Sequence, residues 1–137
     1  QLKSFVLNAE LTMYPTFTKN EAMSIVSLII DVAACDSNFH VNEQKYALIV
    51  ANRLGLSENE IQRAQTLTPQ FVSDTLSSMT FEKRKLTTAI VSTVAIVDGQ
   101  ISNAERRILD YIGPNCGFTS LGNDRPDVIA SNWIENR

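Results

Sequence analysis

Four carboxylates at matching positions are the residues of this chain best suited to chemistry. Asp36 and Glu43 stand seven residues apart, Asp98 and Glu105 repeat that spacing, and a shift of 62 residues carries the first pair onto the second. Carboxylate and carbonyl oxygens are the donors that hard divalent cations prefer, and calcium takes about 6–8 of them. An Asp, a Glu and the open carbonyls of a helix end supply about half that number, with water for the rest. The spacing is not that of an EF-hand, whose Glu closes a 12-residue loop.

The same residues also have a purely structural reading. Glu105 follows Ser102 by three residues, the spacing of a capping box, and Glu43 follows His40 in the same way. Such a cap contributes on the order of 1 kcal/mol. Asp98-Gly99 is an ordinary turn pair. Capping leaves Asp36 and Asp98 unexplained, because each is expected at the carboxyl end of a long helix, where the dipole disfavours an anion by roughly 0.3–1 kcal/mol. Amide donors of the next helix or a bound cation would compensate. His40, the single histidine, is either a softer ligand that favours zinc or a turn residue replacing a cap.

The elements that position these residues come in two copies. Thr18–Leu56 falls on Thr80–Phe118 without a gap, with identities at Thr18/Thr80, Val32/Val94, Ala33/Ala95, Asp36/Asp98, Glu43/Glu105 and Gly55/Gly117. Each copy reads as an apolar helix, an acidic turn, a second helix and a glycine stop. Apolar spacing at Leu2, Phe5, Val6, Ala9 and Met13 predicts a first amphipathic helix. Thr18-Lys-Asn-Glu21 is a capping box opening a helix to about Cys35. That helix is apolar nearly all round, with Ser24, Ser27 and Asp31 as a thin polar stripe, so a buried central position is expected.

Val41–Leu54 follows, carrying apolar Tyr46, Ile49, Val50 and Leu54, with Gly55 as its stop. Ser57-Glu-Asn-Glu60 opens a helix to about Leu67, and Pro69 opens another to Met79. Thr80 caps Phe81–Val97, with Leu86, Ile90, Val94 and Val97 toward the core and Lys85, Thr88 and Ser92 facing away. Ser102 opens the next helix, which Gly113-Pro114 ends or bends. Thr119–Arg125 reads as a polar loop and Pro126–Asn136 as a final helix. The expectation is an all-α single domain, residues 1–137, of about eight helices, with repeats at 18–56 and 80–118 and a C-terminal extension, 119–137, where the repeat match fails.

Composition narrows the function. The 137 residues are 44% hydrophobic and 20% charged, with net charge −3 and pI about 5.1, a globular and mildly acidic balance that argues against nucleic acid or an anionic membrane as partner. The apolar segments Ile25–Cys35 and Leu86–Val97 are too short to span a bilayer. No secretory leader is visible, and Cys35 and Cys116 make no zinc or CxxC spacing, so reduced thiols and a cytoplasmic location are expected. Glu82-Lys-Arg-Lys85 is too short a run for a phosphate patch and reads as a solvated face. With one histidine and neither G-x-S-x-G nor a P-loop, no catalytic set assembles, and no enzymatic activity is expected.

Ala33-Ala34-Cys35-Asp36 with Glu43, and Ala95-Ile96-Val97-Asp98-Gly99-Gln100-Ile101-Ser102-Asn103-Ala104-Glu105, resemble the doubled signature of the TerB-like domains, the family of the tellurite-resistance protein TerB. The second copy, with its D-G-x-I-S-x-x-E string, is the nearer match. Leu54-Gly55-Leu56-Ser57 is similar to the segment between that family's repeats. In the first copy Ser37 replaces the glycine and His40 the Ser or Thr cap. The resemblance spans Thr18 to Phe118. It implies an all-helical fold of pseudo-twofold halves, a metal-binding acidic cluster at Asp36, Glu43, Asp98 and Glu105, and a non-enzymatic role linked to tellurite resistance and stress. The cofactor expected is a divalent cation, calcium or another. The alternative is a protein-interaction module in which the acids only cap helices.

Overall fold

A computed structural model describes residues 14–35, 41–96 and 103–136, apart from the side chains of Glu105, Ile108 and Ile112. The described residues are helical, without strands, and form seven helices: α1 (Lys19–Ala34), α2 (Val41–Arg53), α3 (Glu58–Ala64), α4 (Pro69–Ser77), α5 (Phe81–Val94), α6 (Asn103–Asn115) and α7 (Pro126–Glu135). The helix expected over Leu2–Met13 lies outside the described residues. The all-α expectation holds.

The helix starts follow from local chemistry. Thr18 Oγ1 accepts from the Glu21 N–H at 3.1 Å while Glu21 Oε1 accepts from the Thr18 N–H at 2.8 Å. Ser57 and Glu60 make the same reciprocal pair at 3.2 and 2.8 Å. Thr80 caps α5 through the Lys83 N–H, and Thr68 caps α4 with Pro69 in the first turn. Each bond satisfies one of the amide donors that a helix start leaves open.

The duplication is visible in the backbone. Adding 62 to the bounds of α2 gives the bounds of α6. Both end on a glycine in the left-handed region, Gly55 at φ 75° and Gly117 at φ 71°. Leu56 N–H reaches Ala51 O at 3.0 Å, and Phe118 N–H reaches Gly113 O at 2.8 Å. Gly55 bonds Asn52, and Gly117 bonds Pro114. These are two Schellman closures with equivalent partners. The closure also shows how Gly113-Pro114 ends α6, which runs one residue past the proline to Asn115. Pro114 occupies the place of Asn52, one residue before the helix end, where the following turn is stitched through the carbonyls of residues 113 and 114 and needs no N–H from the proline.

α1 is the central helix. It packs against α2, α3, α4, α5 and α6 and buries Ile25, Leu28, Ile29, Val32 and Ala33 in the main core. Of its polar stripe only Asp31 is exposed; Ser24 and Ser27 are buried, being small enough to pass between packed helices. α5, the repeat partner of α1, buries Leu86, Ile90 and Val94 as expected. Thr88, expected to face away, is instead buried. Its hydroxyl donates to Arg84 O at 2.7 Å and accepts from the Thr119 N–H at 3.2 Å, so it ties the chain leaving α6 onto α5. α5 stops at Val94, short of the expected Val97, because Ala95 and Ile96 bond back three residues and tighten the last turn. α3 likewise stops at Ala64, where Gln65, Thr66 and Leu67 make three-residue bonds.

The third helices of the two halves make matching contacts. α4 packs on α1 and α6, and α7 packs on α5 and α2. Exchanging the two copies turns one set of contacts into the other, and both helices begin with a proline. Each copy is therefore a three-helix unit whose third helix crosses onto the second helix of its partner. α3 is an insertion in the first copy, and its extra length is why a fixed 62-residue shift loses the match beyond Phe118. Trp133 of α7 is fully buried. It meets Phe17 edge-on at 6.4 Å and lies beneath the Arg53 guanidinium at 4.7 Å, while Arg53 Nε donates to Trp133 O at 2.8 Å.

Glu21 and Lys83 mark where the copies face each other. They are 62 residues apart, hence equivalent, and Lys83 Nζ donates to Glu21 Oε1 at 2.8 Å. Equivalent residues touch only near the axis relating two copies. Burial raises the Glu21 pKa, but Lys83 and the Thr18 N–H outweigh it and hold the carboxyl below its ordinary value.

Candidate metal centre at the acidic corners

Of the four corner carboxylates, Glu43 is the one whose side chain lies among the described residues. It is the third residue of α2, in the first turn, where the helix dipole suits a negative charge. It is 1% exposed. The two glutamates that act as capping-box partners, Glu21 and Glu60, keep 14% and 22% of their side chains accessible, so Glu43 is more enclosed than capping requires. A carboxylate is stable in such a place only when hydrogen-bonded, paired or bound to a cation; Glu43 has polar or electrostatic interactions within the chain.

Glu105 is the third residue of α6 and stands in its first turn as Glu43 stands in α2; its side chain lies outside the described residues, as do Asp36, His40, Asp98 and Ser102. Among the described residues no three His, Cys, Asp or Glu side chains gather as a metal-holding group. The geometry thus shows one buried carboxylate at the first corner and the equivalent backbone position at the second. Hard oxygens of this kind suit calcium or magnesium better than a soft metal.

The thiols fit the expectation of unreactive core and loop residues. Cys116 is buried, which pushes its pKa up to about 11, so thiolate is scarce at neutral pH. No disulfide joins it to the half-buried Cys35. The Tyr46 hydroxyl donates to Ile90 O at 2.7 Å inside the core, and desolvation raises its pKa well beyond the usual phenol range despite an opposing hydrogen bond from Thr93. It is a structural link between α2 and α5, not an acid or base.

Two surface features went unread in the sequence. α2 exposes Val41 (64%), Leu48 (60%) and Ile49 (46%), and the last two border shallow grooves shared with Ile30, Leu56 and Ile61. Their spacing of seven and eight residues is the signal of a second apolar stripe, which the buried Tyr46–Val50 face obscures. The second feature is a cleft beside Asp31, lined by α1, α4 and the end of α6.

No protein-family model and no curated protein matches the chain. A solved structure does: a protein of unknown function from Porphyromonas gingivalis W83, 17% identical, covering 89% of this chain and 98% of its own length with a TM-score of 0.69. At that identity the likeness establishes a shared helical fold. Among the described residues, no helix is long and apolar enough to cross a membrane.

Proposed function

We propose that this chain is a non-enzymatic, cytoplasmic binding domain that holds a divalent cation, calcium or one like it, at its acidic corners. Asp36 and Glu43 serve the first corner, and Asp98 and Glu105 the second. The observation that carries the reading is the burial of Glu43, a carboxylate closed off from water at the start of α2. The equivalent bounds of α2 and α6, 62 residues apart, extend it to Glu105. The resemblance of the repeated acidic strings to TerB-like domains supports the same assignment and supplies its link to tellurite resistance and stress. Titration with calcium, magnesium, manganese and zinc, followed by amide NMR shifts, tests it. Saturable shifts at the starts of α2 and α6 that Asp98→Asn removes from the second corner are expected. Unchanged spectra at saturating ion would end the proposal.

A second reading is favoured by a separate observation, the exposed Val41, Leu48 and Ile49 on α2. Contiguous exposed apolar side chains mark protein contacts, and in this reading the domain docks a protein partner through α2 while the acids cap helices. Leu48→Glu would then abolish partner capture or self-association and leave the ion response intact.

A further inference from the structure

The cleft beside Asp31 is a site of another kind. Leu28 and Asp31 of α1, Pro69, Gln70, Val72 and Ser73 of α4, and Tyr111, Asn115 and Cys116 of and after α6 enclose about 190 Å³, room for a short-chain molecule. Several of its hydrogen-bond donors are engaged within the fold. Ser73 uses its one hydrogen on Asn115 O at 2.8 Å. Gln70 Nε2 donates to Asp74 Oδ1 at 2.8 Å, and Asn115 Nδ2 donates to Tyr111 O at 2.7 Å. Beside the remaining amide N–H of Gln70 and Asn115 and the Tyr111 hydroxyl, the cleft presents acceptors: the Asp31 carboxylate and the oxygens of Gln70 and Ser73.

Asp31 itself is badly placed for a structural anion. It sits in the last turn of α1, which holds no basic residue, so the helix dipole opposes its charge. Among the described residues no cation lies within ion-pair distance of it, and partial desolvation is what raises its pKa. Beside the carboxylate stand an apolar wall of Leu28, Val72 and Pro69 and the aromatic ring of Tyr111, which is 74% exposed.

We propose that this cleft binds a protonated alkylamine, its ammonium on Asp31 and its stem along Leu28, Val72 and the Tyr111 ring. An ammonium brings three donors and a positive charge, which suit the Asp31 carboxylate and its neighbouring oxygens, and an aromatic face adds attraction for a cation. A free amine and the lysine side chain of a partner share this chemistry. The site does not depend on the acidic corners, and its failure would leave the cation proposal untouched.

The test is an amide NMR titration of the full chain with n-butylammonium, with Nα-acetyl-lysine amide, and with neutral 1-pentanol. Saturable shifts clustered at Leu28, Asp31, Val72, Ser73 and Cys116 are expected for the two cations and not for the alcohol. Tighter binding of the lysine derivative names a partner's side chain as the source, and tighter binding of butylammonium names a free amine; both support the site. Asp31→Asn, which keeps shape at an exposed position, should abolish the shifts, and Tyr111→Ser should weaken binding about two- to five-fold. Absence of saturable shifts, or shifts that persist in Asp31→Asn, would overturn the proposal.

Discussion

Exchanging Glu21 and Lys83 tests the pseudo-twofold arrangement more sharply than deleting either. Their bond is charge-assisted, 2.8 Å long, between side chains only 14% and 20% exposed. An exposed ion pair contributes about 0.2–1 kcal/mol and a hydrogen bond to a charged group about 1.5–3 kcal/mol. Partial burial places this one at about 1–2 kcal/mol. Lys83→Met should therefore lower the melting temperature by about 5 °C for a domain of this size. Glu21 has a lowered folded-state pKa, so its contribution is fully present above the unfolded value of 4.5 and is lost as pH falls through the folded value. The gap between wild type and Lys83→Met should close over that window. Glu21→Lys alone should cost about 2–3 kcal/mol, because it also removes the glutamate of the Thr18 capping box.

The double variant Glu21→Lys/Lys83→Glu should recover to within about 0.5 kcal/mol of wild type. The two positions are equivalent, so the glutamate that replaces Lys83 stands three residues after Thr80 and completes a capping box on α5 in place of the one lost from α1. Thermal unfolding by circular dichroism at neutral and acid pH gives the four stabilities of the cycle. A double variant as unstable as the sum of its single changes would refute both the pairing and the symmetry argument.

Other perturbations have equally definite outcomes. Gly55→Ala and Gly117→Ala both place a side chain at positive φ and should each cost about 1–2 kcal/mol. Gly117→Ala should cost more, because a Cβ there lies 3.1 Å from Arg84 Cδ whereas Gly55 faces open space; urea unfolding of the two variants ranks them. Asp31→Asn should raise stability at neutral pH by about 0.3–1 kcal/mol through relief of the dipole. The raised folded pKa of Asp31 means that its favourable contribution is present below the unfolded value of 3.8 and lost as pH climbs through the folded value, so wild type and variant should converge in acid. Trp133→Ala should cost about 3–5 kcal/mol, releasing Phe17 and Arg53 from one packed unit, seen as a lower urea midpoint.

Much of the fold was legible because its signals are local. Thr18 with Glu21 and Ser57 with Glu60 each set a helix start by hydrogen bonds spanning three residues, and Gly55 and Gly117 set stops by a conformation only glycine adopts easily. What escaped the sequence depends on partners far along the chain. Thr88 reads as a solvent residue until Thr119 folds back to its hydroxyl. The kinship of α7 with α4 is hidden by the insertion of α3, although Pro69 and Pro126 hint at it. At the acidic corners, spacing singled out Glu43 among many carboxylates, yet its enclosure is a property of packing that no spacing encodes. Asp31 reads as part of a stripe on α1; its cleft exists only where α4 and α6 arrive beside it.

The most direct test of the cation assignment is manganese titration of the ¹⁵N-labelled chain. A paramagnetic ion broadens the amides nearest to it, so it reports position as well as binding. Two separate zones of broadening are expected, one at the start of α2 around Glu43 and one at the start of α6 around Glu105, with calcium restoring both. Broadening spread over exposed carboxylates such as Glu58 and Asp124, with the amides around Glu43 and Glu105 untouched, would contradict the account.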